Sequence, residues 1–199
     1  MSGHLLIRAD ASSQIGAGHV MRCLALAQAW KRRVGDVTFL SRCDAEGIRR
    51  RVTQEGFRFV EIPKPWSDEE DFQRTLRAVL EIEKAGEHKR PFWVVLDGYH
   101  FNGAYQKAVK GTGMPLLVLD DMGHLPAYHA DLLLNAGIGA DQSLYPRSGG
   151  ARLLLGIKYM LLRREFLELR TLNKDIPEEA ERILVTLGGA DSKNVTSKV

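Results

Sequence analysis

The sequence lacks the features that define several large classes of protein. It has two cysteines, Cys23 and Cys43, and no CxxC motif, so it indicates neither a disulfide framework nor a thiolate metal site. No stretch approaches the roughly 18 apolar residues that a membrane span requires. The first ten residues, MSGHLLIRAD, lack the basic start and the long apolar core of a signal peptide. We therefore expect a soluble, cytoplasmic protein with reduced thiols.

The chain also lacks a strong excess of charge of either sign. Its 28 basic and 25 acidic residues give a net charge of +3. Basic residues cluster only at 31–33 and 49–51, on predicted helices with acidic neighbours. Solvated helix faces are favoured there over a stripe that binds nucleic acid. We expect no nucleic-acid partner and no membrane partner.

Several nucleotide-binding and metal-binding motifs are missing as well. After Gly16 and Gly18, Met21 stands where the dinucleotide motif G-x-G-x-x-G needs its third glycine. The chain contains neither G-x-x-x-x-G-K-[ST] nor H-E-x-x-H. Five of the six histidines show no metal-binding spacing: His4, His88, His100, His124 and His129. The sequence therefore predicts no metal and no cofactor.

The sequence does contain a regular alternation of strand and helix signals. Its strands are continuous apolar runs, which favour a parallel sheet covered by helices on both faces. The predicted strands cover 4–9, 37–41, 57–62, 91–97, 115–120, 131–135 and 152–155. The predicted helices cover 18–33, 44–55, 67–84, 102–110 and 159–169, with Ser67 and Glu70 at the start of the third. This pattern predicts an α/β, Rossmann-like domain over residues 1–172.

A change of composition follows this domain. Residues 173–181 are polar and resemble a linker between domains. An apolar run at 182–187 then predicts a strand, and Gly188, Gly189, Ala190 and Asp191 follow it. We expect 182–199 to be the start of a second, truncated nucleotide-binding domain, because one strand and one helix cannot form a core.

Two glycines and a histidine stand where the first long helix is predicted to begin. Gly16, Ala17 and Gly18 would let backbone amides approach an anion or a sugar, although a tight turn explains the glycines equally well. His19 at a helix N-terminus suits a general base, because that end of a helix disfavours the imidazolium; the alternative is a capping role. Arg22, one turn further, could meet a phosphate, but pairing with Asp10 or another local acid is favoured.

Polar residues also follow other predicted strands, at the edge where ligands of open parallel sheets bind. Asp97 could orient a histidine or a sugar hydroxyl, and Tyr99 could bind a ligand or a water. Capping by the aspartate and packing by the tyrosine are equally open. Asp120 and Asp121 look like a carboxylate pair, but adjacent residues point in different directions, so one of them is expected to be structural. Asn135 ends another strand at this edge.

The motifs in order resemble those of one family. RADASSQIGAGHVMRCLALA, VVLDGYHF, VLDDMGHLPAYHADLLLNAG, LLLGIKYMLLRREF and ILVTLGGADSKNVT are similar to segments of the UDP-2,4-diacetamido-2,4,6-trideoxy-β-L-altropyranose hydrolases of pseudaminic acid synthesis. The resemblance covers nearly the whole chain. It implies a fold like that of the GT-B glycosyltransferases, in which two Rossmann-like domains face each other across a cleft, with the nucleotide mainly on the second.

The resemblance also implies a reaction and roles for residues. Water would attack the anomeric carbon of a UDP-linked sugar, expelling UDP with inversion and without a metal. His19 would be the base, with Tyr99 and Asp97 beside the reacting atoms. Substrate contacts are expected at Ser13, Gly16, Ala17, Gly18, Arg22 and Asn135 and, in the second domain, at Gly188, Gly189, Ala190, Asp191 and Asn194. The UDP-sugar is the one expected partner of a monomeric chain, and we expect weak UDP binding and little turnover from 199 residues.

Three alternatives stay open. A GT-B glycosyltransferase would use a sugar or lipid acceptor in place of water, and an apolar or basic patch facing the acceptor would favour it. A sugar-nucleotide-binding module without catalysis is a second alternative, although His19 and Tyr99 are both present. A nucleotide-sugar 2-epimerase is a third, and it would need carboxylate acid and base groups.

Overall fold

One seven-stranded parallel sheet forms the centre of the fold. The computed structural model describes residues 3–63, 67–85, 91–145, 149–171, 178–186, 191 and 194–198. Each strand is a short apolar run, as expected for strands that are buried on both faces. The strands are β1 Gly3–Ala9, β2 Gly35–Ser41, β3 Arg58–Glu61, β4 Phe92–Asp97, β5 Leu116–Leu119, β6 Leu132–Asn135 and β7 Arg152–Leu155. All seven predicted strands of this domain are confirmed.

Helices cover both faces of this sheet, so the predicted fold class is confirmed. The helices are α1 Gly18–Arg33, α2 Glu46–Gln54, α3 Asp68–Ala85, α4 Gly103–Gly111 and α5 Arg164–Glu168. Leu5 and Ile7 of β1 pack in one core with residues of α1 and α2. Leu6, between them, packs in the opposite core with residues of α3 and α4. This alternation follows from the period of two in a strand.

The strand order places a ligand-binding crevice at a defined point. The order is β3-β2-β1-β4-β5-β6-β7, so the chain runs outward from β1 in one direction and then from β4 in the other. Connections from neighbouring strands diverge at such a reversal and leave a crevice at the strands' carboxyl ends. Ala9 and Asp97 are register partners there, at the ends of β1 and β4.

Helix boundaries follow the predictions except at the end of the domain. The Ser67 hydroxyl accepts a hydrogen bond from the Glu70 amide at 3.1 Å, as the capping pattern predicts. The helix predicted over 159–169 is wrong in its first part, since α5 begins only at Arg164. The residues before it run along α1 instead, and Tyr159 and Leu161 pack against the core that includes residues of α1. The Gln28 side chain of α1 accepts a hydrogen bond from the Arg164 amide at 2.7 Å, which docks this segment.

Residues 182–186 form no strand, in contrast to the strand predicted over 182–187. Ile183 is 83% exposed and Leu184 is 88% exposed. No described strand pairs with this segment, and an isolated strand leaves its backbone groups and apolar side chains in water. The division into a second domain stays a prediction. In the described part of the chain, no helix has the length and apolar character needed to cross a membrane.

Candidate active site

The loop from β1 to α1 forms one side of the crevice, and its geometry explains its glycine and serine residues. The Ser12 hydroxyl accepts hydrogen bonds from the amides of Gln14 and Ile15, both at 3.2 Å. Gly16 then adopts a φ of +75°, which favours glycine over any residue with a Cβ. Ser12 and Gly16 exchange backbone hydrogen bonds across this turn. The loop is therefore a tight turn that delivers the chain to the start of α1, with Ser13 exposed on it.

The first turn of α1 presents open backbone amides. Ala17 precedes the helix and provides no side-chain cap. Among the described residues, the amides of Gly18 and His19 have no hydrogen-bond acceptor and are not fully buried, whereas Val20 is fully buried. A Cβ added at Gly18 would meet no atom within 4 Å. Amides and space of this kind, at the positive end of a helix dipole, can hold a phosphate or a sugar hydroxyl.

His19 is held in one orientation by Asp97 across the reversal point. Its Nδ1 lies 2.7 Å from Asp97 Oδ1. A carboxylate can only accept, so Nδ1 carries the proton, and in the neutral ring the lone pair is on Nε2. The His19 side chain is only 12% exposed and the Asp97 side chain is fully buried. A histidine oriented in this way by a carboxylate can accept a proton at Nε2.

Arg22 is the second partner of Asp97, one turn along α1 from His19. Its Nε and Nη2 bond Asp97 at 2.6 and 2.5 Å, and its Nη1 bonds Asp121 at 2.9 Å. Burial alone would lower the pKa of Arg22, but the two carboxylates outweigh it and raise that pKa. Arg22 is therefore in an ion pair, as favoured, but the expected local partner is wrong, because Asp97 and Asp121 are 75 and 99 residues away along the chain. Cys23 adds a weak thiol hydrogen bond to Asp97 at 3.3 Å.

Tyr99 and Asp121 complete the arrangement. The Tyr99 hydroxyl donates to Asp121 at 2.9 Å, and its ring meets His19 edge to face at 5.1 Å between centroids. Burial and this hydrogen bond raise the pKa of Tyr99 to about 12. Burial alone would raise the pKa of Asp121, but the Tyr99 hydroxyl and Arg22 lower it. We call His19, Arg22, Asp97, Tyr99 and Asp121 the site cluster.

The adjacent aspartates Asp120 and Asp121 have different roles, as the divergence of adjacent side chains predicts. Asp120 is buried and accepts hydrogen bonds from the amides of Met122 and Gly123 and from the Tyr128 hydroxyl. It therefore holds its own loop, while Asp121 faces the site cluster. His124 supports the same region, since its Nε2 donates to the carbonyl oxygen of Tyr99 at 3.0 Å.

A second group of charged residues lies beneath the crevice. Arg8 of β1 is fully buried and pairs with Asp10 and with Asp71 of α3, the latter at 2.6 Å. Burial alone would lower the pKa of Arg8, but the two carboxylates outweigh it and raise that pKa. The Tyr105 hydroxyl donates to Asp71 at 3.3 Å, and His100 Nε2 lies 3.3 Å from Asp10. We call these five residues the inner cluster.

Other predicted site residues lie outside the site cluster. Asn135 is buried, accepts the Gly137 amide and donates to the Tyr145 hydroxyl, both at 2.9 Å. Asp191 accepts the amides of Val195 and Thr196 at 2.8 and 3.0 Å. No described contact joins Asp191 or Asn194 to the site cluster, and Gly188, Gly189 and Ala190 lie outside the described residues. The described residues contain no group of three or more His, Cys, Asp or Glu side chains that could hold a metal ion.

Sequence reasoning brought His19, Asp97, Tyr99 and Arg22 to one place but missed part of the arrangement. The sequence could not distinguish the role of Asp121 from that of Asp120, because the direction of each side chain depends on the turn that follows β5. Cys23 gave no signal in the sequence. The inner cluster was also missed, although an arginine inside the apolar run of β1 must find buried acids and so pointed to it.

Comparisons with known proteins confirm the resemblance predicted from the motifs. The chain is 28% identical over 200 residues to the UDP-2,4-diacetamido-2,4,6-trideoxy-beta-L-altropyranose hydrolase of Campylobacter jejuni. It is 27% identical over 200 residues to the spore coat polysaccharide biosynthesis protein SpsG of Bacillus subtilis. It is 24% identical over 201 residues to the uncharacterized protein MJ1062 of Methanocaldococcus jannaschii. The chain matches no family model.

The matched region is almost the whole chain but only part of these relatives. Each alignment covers 98% of this chain, and the chain spans 64%, 53% and 38% of the three proteins in the order above. Among solved structures, MurG of Acinetobacter baumannii matches with a TM-score of 0.50 at 14% identity, over 76% of this chain and 44% of that one. This last similarity concerns the fold alone, and it agrees with the predicted likeness to a GT-B domain.

Proposed function

We propose that the chain acts in the hydrolysis of a UDP-linked 2,4-diacetamido-2,4,6-trideoxy sugar, with His19 as the general base. Two observations support this. The relative from Campylobacter jejuni carries that activity in its name and aligns over 98% of the chain. The 2.7 Å contact between His19 Nδ1 and Asp97 puts the lone pair of the neutral ring on Nε2, and the half-exposed Tyr99 lies beside that ring.

In the proposed reaction, water adds to the anomeric carbon as UDP leaves from the opposite face. The bond from the water oxygen to carbon 1 forms while the bond from carbon 1 to the β-phosphate oxygen breaks. The electron pair leaves with UDP, and the water proton moves to His19 Nε2. Asp97 stabilises the resulting imidazolium through Nδ1. A single displacement of this kind inverts the anomeric configuration.

The first turn of α1 makes the second contribution to catalysis, which is to stabilise the leaving group. Negative charge grows on the leaving diphosphate as the bond to carbon 1 breaks. The amides of Gly18 and His19, which have no acceptor among the described residues, are donors that can stabilise charge at this edge of the sheet. Since UDP is a good leaving group, one positioned base can suffice, and such bases typically contribute about 10²- to 10⁴-fold in rate.

The test is proton NMR of the chain with the UDP-linked sugar, at comparable concentrations so that a slow single turnover is visible. We expect free sugar to appear first as the anomer opposite to that of the substrate. His19→Ala should slow release by about 10²- to 10⁴-fold. His129→Ala is the matched control, since the His129 ring lies against Gly103 of α4, and it should keep the rate of the unmodified chain.

Three results would contradict the proposal. These are no release by the unmodified chain, release with retained configuration, and an unchanged rate in His19→Ala. Circular dichroism of both variants would show that they fold.

A glycosyltransferase is the second candidate, and one observation favours it. Three aliphatic side chains on loops at the carboxyl edge of the sheet are strongly exposed: Ile15 at 51%, Met122 at 59% and Ile138 at 91%. An apolar acceptor could lie on such side chains. Transfer of the sugar to an added lipid or sugar acceptor, without free sugar, would support this candidate in the same NMR experiment.

A further inference from the structure

A pocket of about 150 Å³ lies against Arg22 and Asp121 and has no part in the reaction described above. Most of its wall is apolar and comes from the ends of β5 and β6 and from the segment that runs along α1. The apolar lining residues are Leu119, Leu134, Ala136, Met160 and Leu161. A pocket of this size holds a substituent of a ligand rather than a whole nucleotide sugar.

The polar side of this pocket offers both donors and acceptors. A guanidinium has five N–H groups, and the bonds of Arg22 to Asp97 and Asp121 use three of them. Arg22 Nη2 also lies 3.4 Å from His19 Nδ1, so one N–H of Arg22, on Nη1, remains without a partner. Asp121 accepts from Arg22 and Tyr99 and has lone pairs left over. Asn135 also lines the pocket, and its amide keeps one N–H beyond the bond to Tyr145.

This combination matches one class of substituent. A group that fits must offer one N–H to a carboxylate, one carbonyl oxygen to N–H donors, and a methyl group to apolar walls. We propose that the pocket binds an N-acylamino substituent of the sugar. Its N–H donates to Asp121, its carbonyl accepts from Arg22 or Asn135, and its methyl group lies among the leucines and Met160. This inference rests on the proposed function and identifies the substituent that the site recognises.

The pocket also makes Ala136 and Met160 specificity-determining residues. Ala136 directly follows Asn135 at the end of β6, so a larger side chain there would occupy the space for the methyl group. Ala140, in the same loop but outside the lining, provides a matched control.

The experiment is NMR of the chain with ¹³C-methyl-labelled methionine and the free 2,4-diacetamido-2,4,6-trideoxy sugar. The Met160 signal is assigned with Met160→Leu. We expect nuclear Overhauser effects from an acetyl methyl group of the sugar to the Met160 methyl group. A diformamido analogue, which lacks the methyl groups, should bind about three- to fivefold more weakly.

Ala136→Leu should weaken sugar binding by about tenfold or more and remove the effect at Met160. Ala140→Leu should preserve both. Thermal melts of the two variants would show whether each keeps its fold, and the diformamido comparison tests the pocket without any variant.

The outcomes separate this inference from the proposed function. Contacts from the sugar's carbon-6 methyl group to Met160, in place of acetyl contacts, would overturn the assignment. Shifts of the His19 ring signals without any effect at Met160 would overturn only the assignment of the pocket to the N-acylamino group. The proposed hydrolysis would be unaffected. If the sugar moves neither signal, the acylamino assignment and the sugar site at His19 both fail.

Discussion

The molecule contains two clusters of the same side-chain types at neighbouring strand ends, and they differ in how far their arginines and tyrosines reach solvent. In each, an arginine lies between two aspartates, with a histidine and a tyrosine on the carboxylates. Arg8 of the inner cluster is 0% exposed, whereas 29% of the Arg22 side chain in the site cluster reaches solvent. The arginine and the tyrosine of the inner cluster are therefore buried in the fold, whereas those of the site cluster are accessible from solvent.

The difference is visible in the hydrogen bonds of the two tyrosines. Tyr105 is buried, and its hydroxyl donates to Asp71 at 3.3 Å and accepts from the Thr75 hydroxyl at 2.7 Å. Tyr99 is 46% exposed and bonds Asp121 from the surface of the crevice. Arg8, Asp71 and Tyr105 of the inner cluster are bonded to one another out of solvent, while the site cluster keeps one N–H of Arg22 without a partner.

The largest effect should come from removing the two arginines in turn. Arg8→Met leaves Asp10 and Asp71 buried beside an apolar side chain, and breaking a buried pair in this way costs about 3–5 kcal/mol of unfolding free energy. Arg22→Met should cost less, because solvent reaches its position and His19 still donates to Asp97. Urea denaturation of both variants provides the measurement. A loss for Arg22→Met that equals or exceeds the loss for Arg8→Met would break the comparison.

The two tyrosines should separate stability from function. Tyr105→Phe removes a buried hydroxyl and leaves its partners unsatisfied, which costs about 1–3 kcal/mol of unfolding free energy. Tyr99→Phe removes a partly exposed hydroxyl, so its unfolding free energy should stay within about 0.5 kcal/mol of the unmodified chain. Sugar release should show the reverse, with the larger loss in Tyr99→Phe. Equal unfolding midpoints for the two variants would contradict the distinction.

The smallest effect concerns the histidine of the inner cluster. Burial and Arg8 lower the pKa of His100 below its ordinary value of 6.5, with Arg42 acting in the same direction and Asp10 and Asp71 opposing. Below pH 6.5 the unfolded chain therefore binds more protons at this residue than the folded chain does. The unfolding free energy should fall as the pH drops through that range.

His100→Asn should make this pH dependence shallower. Burial also lowers the pKa of His4, so part of the slope should remain in the variant. Urea unfolding at about pH 7.5 and about pH 5 measures both slopes. A slope in His100→Asn as steep as that of the unmodified chain would show that the inner cluster does not carry this penalty.

The sequence was sufficient for the architecture because apolar strands and capped helices are local signals. Two errors came from contacts that are not local. The predicted helix is interrupted after a 3₁₀ turn at Ile157–Tyr159, and it resumes only at Arg164, whose amide donates to Gln28 of α1. The run at 182–186 has strand-forming residues but no strand to pair with among the described residues. Their positions after a predicted strand identified Asp97 and Tyr99 as candidate site residues. Only the strand order shows that Asp97 faces His19.

The site cluster was predicted in its residues and not in its connections. Gly16 and Gly18 look equivalent in sequence, yet only Gly16 has a positive φ, while Gly18 borders open space. Asp120 and Asp121 are neighbours whose directions depend on the loop after β5. These features arise from turns, which small sets of hydrogen bonds determine rather than residue periodicity.

The central claim is that Asp97 fixes the His19 ring with its proton on Nδ1 and its lone pair on Nε2. Long-range proton–nitrogen NMR of the ¹⁵N-histidine-labelled chain at neutral pH reads this directly, with His19→Ala to assign the signals. We predict a protonated Nδ1 and an unprotonated Nε2. A proton on Nε2 would contradict the account, because His19 could not then accept a proton from water.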